Sequence, residues 1–492
     1  MRKSMPIFFS ALLLTGVNLL LRLVSTSFQV YLSGRIGAAG IGLLQLVLSV
    51  GSLSMTAGMA GIRTATMYLS AEEIGKKRSV TRVLSGCFLY SLLCSCTVGL
   101  IVWASAPFLA SNWIGHPETV SAIRLYAFFL PVVCLCGVMT GYFTAANRIG
   151  ILAAVEVAEQ LFSMAMTLTI LALWAGSDPV RACYGIILGS SMGACLTFIC
   201  LLILRLRERE KPGHRLPMAR RLIDTALPLA LADDLKAGIS TTENLMVPKR
   251  LSLYTGTTSA LAEFGSVCGM VFPVLMFPAS ILYALAELLI PELARCNASD
   301  STKRIHYLVR RSLRIAMLYG ICFCGLLFLM AEDLCLALYR NPDAGRYLRW
   351  FSLLVPMLYC DAITDAMTKG LGQQKICVRY NILTSTLDVV FLYILLPKYG
   401  MVGYFISFTL THLLNFALSL RRLLKITRET IPFYIPALAV SVMLLSIWAT
   451  SHLSSPLGKC LAFPAMLFST LSLLGIVGKE DLLWLKGLIC KK

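Results

Sequence analysis

The sequence predicts an all-α integral membrane protein with about fourteen transmembrane helices. Three observations carry that prediction. The chain is 57% hydrophobic and only 14% charged, with a mean hydropathy of +0.77, whereas soluble chains are about 25% charged. Apolar runs of spanning length recur from end to end of the 492 residues, so length counts helices rather than soluble domains. Lys and Arg concentrate in alternate connections.

Taken in order, the runs that meet the length of a span are 6–33, 41–70, 83–106, 120–144, 150–173, 182–204, 222–247, 262–293, 310–337, 347–369, 376–396, 401–420, 431–450 and 460–477. The first follows Met1-Arg2-Lys3 and lacks a small-residue cleavage site at signal-peptide distance, so it reads as a retained helix. The seventh is the least apolar, with Asp233, Asp234, Lys236 and Glu243 inside it. With the N-terminus in the cytoplasm, and cations near span ends counted with the adjoining loop, the inside segments hold 31 Lys/Arg and the outside loops 10. Only Arg22, Arg63 and Lys236 stay within spans. That bias predicts a multi-pass protein of the cell membrane with both termini cytoplasmic.

The net charge of +19 follows from the same loops. It reads as a topology signal and a contact with membrane lipids, not as a nucleic-acid surface. The 17 cysteines lie mostly inside apolar segments. The Cys94/Cys96, Cys134/Cys136 and Cys322/Cys324 pairs fall on different helix faces, so small packed thiols are expected, with no metal site and no cofactor.

The chain repeats. A shift of 225 places His116-Pro117-Glu118 on Asn341-Pro342-Asp343, Arg124 on Arg349 and Pro131 on Pro356. Gly185 in span 6 resembles Gly403 in span 12. This predicts two six-helix lobes, residues 1–210 and 211–429, with spans 13 and 14 and the tail, 430–492, appended. Repeats six spans apart share one orientation, the parallel pseudo-repeat of several transporters.

Polar residues inside spans mark the candidate site, since an ionisable one at bilayer depth costs roughly 2.5–3.5 kcal/mol on insertion scales. Asn18, Arg22, Ser25 and Gln29 share one face of span 1; Asp233, Lys236, Ser240 and Glu243 share one face of span 7. Facing stripes from the two halves would wall a hydrated cavity. Asp233 and Lys236 could instead neutralise each other along their own helix. Arg63 is placed at the cytosolic headgroups or the cavity mouth. Candidates for a coupling proton or sodium ion are Asp233, Asp234, Glu156 and Asp388. Asp361, Asp365 and Lys369 share a face of span 10, where Lys369 is expected to snorkel. His412 and Asn415 are expected in an interhelical hydrogen bond. Pro273, Pro278 and Pro291 mark span 8 as bent.

Glu243-Asn244-Leu245-Met246-Val247-Pro248-Lys249-Arg250-Leu251, then Ala260-Leu261-Ala262-Glu263-Phe264-Gly265, Gly269-Met270, Pro273 and Phe277-Pro278 resemble the stage V sporulation protein B-like polysaccharide exporters. These belong to the multidrug/oligosaccharidyl-lipid/polysaccharide flippase superfamily. Leu289-Ile290-Pro291-Glu292-Leu293 and Gly370-Leu371-Gly372-Gln373-Gln374 are similar to that group as well. The resemblance implies a V-shaped pair of lobes and alternating access. It also implies a lipid-linked saccharide cargo, such as an undecaprenyl-pyrophosphate sugar or peptidoglycan precursor. In the related lipid II flippases span 1 carries cavity arginines; Arg22 is similar to the first, while Phe28 stands where a second would fall. Spans 13 and 14 resemble the groove helices of those flippases.

The expectation is therefore a transporter and not an enzyme, binding substrate through Arg22, Lys236, Asn18, Gln29, Glu243 and Arg63. A multidrug or cation exporter of the same superfamily is the rival, because span 7 holds three acids. A membrane-embedded glycosyltransferase or ligase is a second rival, opposed by short outside loops with no catalytic constellation.

Overall fold

A straight helix of 57 residues would be about 85 Å long, against a hydrocarbon core of about 30 Å. The chain contains one such stretch, 19–75, and a second of 54 residues, 374–427. The computed structural model, which describes residues 7–76, 78–176, 178–207, 218–429, 434–453 and 455–476, shows how they are divided. Within α1 (Ile7–Met59), Gly37 takes φ 68° and ψ 177°. Within α14 (Gln374–Thr427), Gly400 takes φ 57° and ψ −139°. Both lie in a region that L side chains avoid. The seven-residue loop expected between spans 1 and 2 is thus a one-residue break. A further break at Ala60 and Gly61, both at positive φ, ends α1 and starts α2 (Ile62–Gly75).

The remaining helices follow the apolar runs. They are α3 (Thr81–Phe108), α4 (Val120–Ala145), α5 (Ile149–Ile170), α6 (Pro179–Leu206) and α7 (Met218–Thr255). Span 8 is divided into α8 (Thr257–Ser266), a π-helical stretch Val267–Val271, α9 (Phe272–Met276) and α10 (Ala279–Ala298), as Pro273 and Pro278 predict. Then come α11 (Thr302–Tyr339), α12 (Pro342–Ser352) and α13 (Val355–Gly370), which together make span 10, and after α14 the pair α15 (Tyr434–Ser451) and α16 (Pro456–Leu473). All elements among the described residues are helical. Among the same residues, nine stretches are long and apolar enough to cross a bilayer. Leu100, Phe128, Leu173, Leu461 and Leu473 are 69–88% exposed, a surface suited to acyl chains and not to water. The protein is a multi-pass membrane protein.

Two compact units emerge. The first is residues 1–269 with 389–401; the second is 270–388 with 402–492. In the first, α1 packs on α8 and α7. Gly265 and Gly269 are four apart, the small-xxx-small spacing that lets helix backbones touch. A Cβ at Gly265 would collide with the Ala38 carbonyl, and one at Gly42 with the Leu261 carbonyl. In the second, α11 packs on α12, α13, α15 and α16. The ring of Phe463 on α16 occupies the space where Gly325 of α11 lacks a side chain.

Each unit repeats one local device. The Arg124 guanidinium lies 4.6 Å from the ring centre of Trp103; that of Arg349 lies 5.6 Å from Phe328. Trp103 and Phe328 are themselves 225 positions apart, so the repeat includes the aromatic partner as well as the arginine.

Candidate functional site

In the first unit the polar face of α1 is met by the neighbouring helices. A π-helical stretch leaves backbone carbonyls out of the regular i−4 ladder. The carbonyl of Gly269, inside such a stretch, accepts from Gln29 Nε2 at 2.8 Å. Arg22 is half-buried on the same face. The side chain of Asn18 lies outside the described residues.

On α7, Asp233, Lys236 and Ser240 are exposed and Glu243 is half-buried. No ion pair joins Asp233 to Lys236 among the described residues, so the self-neutralising reading of span 7 is not what the structure shows. Two further α7 groups reach α1. Thr241 Oγ1 donates to the Ser49 carbonyl at 3.2 Å, and Asn244 Nδ2 donates to Ser49 Oγ at 3.1 Å. Asp234 Oδ1 is buried with no hydrogen-bond partner among the described residues.

Arg63 opens α2 and is exposed; Glu156 of α5 is half-buried within its electrostatic reach but makes no direct ion pair among the described residues. Glu159, one turn on, accepts from Thr197 Oγ1 at 2.6 Å.

The second unit contains a buried polar seam. Asp388 is 6% exposed, and its Oδ1 accepts from Ser407 Oγ at 2.6 Å and Thr411 Oγ1 at 3.1 Å. Next to it, Asp361 Oδ2 accepts from Asn415 Nδ2 at 3.0 Å, while Asp361 Oδ1 is buried without a hydrogen-bond partner among the described residues. Asn415 thus makes the interhelical hydrogen bond expected of it; His412 instead lies against Phe408, with ring centres 4.0 Å apart and planes tilted by 41°. Lys369 pairs with Asp365 at 2.6 Å. A cluster of this kind can hold a proton or a small cation among oxygen ligands. Among the described residues no group of three His, Cys, Asp or Glu could hold a metal ion.

Asp388 is conspicuous in the sequence; its hydroxyl partners are not. A signal was present: Thr384 and Asp388 are four apart, as are Ser407, Thr411 and Asn415, the spacing of one helix face.

A model of the family described as "polysaccharide biosynthesis protein" matches residues 41–339. Stage V sporulation protein B of Bacillus subtilis (strain 168) is 18% identical over 406 residues, 80% of this chain and 78% of that protein. Sporulation protein YkvU of the same organism is 22% identical over 281 residues, 54% of this chain and 61% of that protein. Among solved structures, the lipid II flippase MurJ in an inward closed conformation superposes with a TM-score of 0.74 at 11% identity, over 94% of this chain and 98% of that one. An inward-facing multidrug resistance MATE family transporter of the MOP superfamily gives 0.66 at 13% identity, over 84% and 100%.

Proposed function

Because the chain belongs to the polysaccharide biosynthesis protein family, a premise its MOP-superfamily fold accords with, we propose that it flips a lipid-linked oligosaccharide or peptidoglycan precursor. The cargo is an undecaprenyl-pyrophosphate sugar. It crosses the cytoplasmic membrane by alternating access of two lobes, 1–210 and 211–429, with 430–492 appended and both termini in the cytoplasm.

The observation that carries this reading is Arg22, a half-buried guanidinium on an apolar spanning helix. A pyrophosphate headgroup cannot enter hydrocarbon without groups that replace its water. Arg22 provides bidentate donors for phosphate oxygens, and Lys236, exposed on α7, provides a second positive charge. Asn18, Gln29 and Glu243 orient the polar part of the cargo, and Arg63 receives it at the mouth. Of the coupling candidates Asp233, Asp234, Glu156 and Asp388, the last is best supported, because its carboxylate is buried among hydroxyls.

In a liposome flipping assay with a pyrophosphate-linked lipid, Arg22→Ala is expected to lower transport by roughly two orders of magnitude, the cost of about 3 kcal/mol for a charge-assisted contact. Membrane insertion and elution as a single species are expected to be retained. A wild-type rate would remove Arg22 from the mechanism. The exposed Asp233 favours a second reading, export of a cationic compound; in the same vesicles, uptake of a cationic dye in place of the lipid would establish it.

A further inference from the structure

The first turns of α11 carry more charge than a spanning segment tolerates. With 38 residues, α11 is about 57 Å long, nearly twice the hydrocarbon thickness. The surplus is the stretch 302–314. Its Ile305, Leu308, Val309 and Leu313 are buried in the second unit. Its Lys303, His306, Arg310, Arg311 and Arg314 instead line a pocket of about 460 Å³.

One acid, Glu429, lines the same pocket. Its side chain is 7% exposed and sits 2.9 Å from His306 Nδ1 and 2.8 Å from Arg310 Nη2. That carboxylate neutralises one positive charge and leaves an excess. Arg314 donates through Nη2 to the Ile476 carbonyl just past α16, while its Nε–H is buried with no acceptor among the described residues. Lys303 is exposed and has no carboxylate partner among the described residues. A buried donor without an acceptor is costly. Tyr307, 54% exposed at the rim, is the kind of side chain that settles at headgroup depth.

We propose that this pocket binds the phosphodiester headgroup of an anionic membrane phospholipid. The phosphate oxygens accept from the Lys303 ammonium and from the Arg314 guanidinium, both of which line the pocket. Bound there, the headgroup joins α11 to the chain just past α14 and α16. A free phosphate offers the same oxygens. The lipid is favoured because the pocket belongs to the part of α11 that surplus length places at the membrane surface, where a headgroup is present at high local concentration.

The test uses the full chain in detergent, offered equal amounts of phosphatidylglycerol and phosphatidylcholine with identical acyl chains, with retained lipid read by native mass spectrometry. Wild type is expected to retain phosphatidylglycerol at least about fivefold over phosphatidylcholine. Lys303→Glu combined with Arg314→Gln should bring the ratio close to one. Glu429→Gln should raise it, because it deletes the acid of the pocket, and this variant carries the test alone if the double variant does not fold. Equal retention by wild type, an unchanged ratio in the double variant, or a fall in Glu429→Gln would each overturn the proposal. Displacement of phosphatidylglycerol by millimolar inorganic phosphate would overturn it too, showing a site for the free anion.

Discussion

Asp388 and Asp361 illustrate two ways of keeping an acid inside a membrane protein. Asp388 has hydroxyl donors on one oxygen, so it can be charged without water. Asp361 has an amide on one oxygen and, among the described residues, no hydrogen-bond partner on the other, which leaves an acceptor for a donor or a cation to occupy. The amide in Asp388→Asn fills the same space and cannot carry the charge. Transport driven by an imposed proton or sodium gradient is expected to fall at least about tenfold in that variant, a coupling loss of about 1.4 kcal/mol, with cargo binding preserved. An unchanged gradient-driven rate would strike Asp388 from the coupling candidates. At this scale the sequence was legible where a residue is conspicuous by itself. Arg22 and Asp388 stand out in apolar surroundings. Ser407, Thr411 and Trp103 do not, because a hydroxyl or an aromatic ring is unremarkable in a spanning helix until a partner from another helix is known.

Among the elements, glycine decides which helices can touch. A side chain at Gly265 would occupy the position of the Ala38 carbonyl. Gly265→Val is therefore expected to destabilise the α1–α8 contact by about 1–3 kcal/mol, the usual penalty of overpacking, visible as a lower midpoint of thermal unfolding in detergent. At Gly238, inside α7, a Cβ would meet nothing within 4 Å. Gly238→Ala should raise the same midpoint, through about 1 kcal/mol of helix propensity. If both substitutions move it in one direction, packing at Gly265 is not what its glycine serves. Prolines were a partial guide. Pro273 and Pro278 mark real breaks in span 8, and Pro356 falls just after the break between α12 and α13. Its repeat partner Pro131 sits inside an uninterrupted α4. A proline removes one hydrogen bond wherever it stands; whether the helix divides there depends on the neighbours that absorb the bend, and those are not written locally.

For the molecule as a whole, hydropathy and charge bias fixed the fold class, since a bilayer allows few alternatives to bundled helices. The division of long stretches by single glycines was not foreseen, because a loop and a one-residue corner leave the same dip in hydropathy. The appended pair α15–α16 is held to the second unit through α11, with Phe463 against Gly325. Gly325→Leu is expected to displace α16 and to increase protease cleavage in the connection between α14 and α15, while α1 to α6 stay resistant. Unaltered cleavage would mean that α16 is anchored elsewhere.

The corners at Gly37 and Gly400 have a practical consequence for anyone mapping sidedness. A reversal built from one residue has no slack to receive an inserted epitope, and the backbone beside it is already committed to helical hydrogen bonds, so antibodies and proteases gain little purchase there. A reporter must be no larger than a side chain. Arg35 and Lys398, both exposed beside those corners, can each be exchanged for cysteine and probed with an impermeant maleimide, once the native thiol at Cys460, exposed as well, has been replaced by serine.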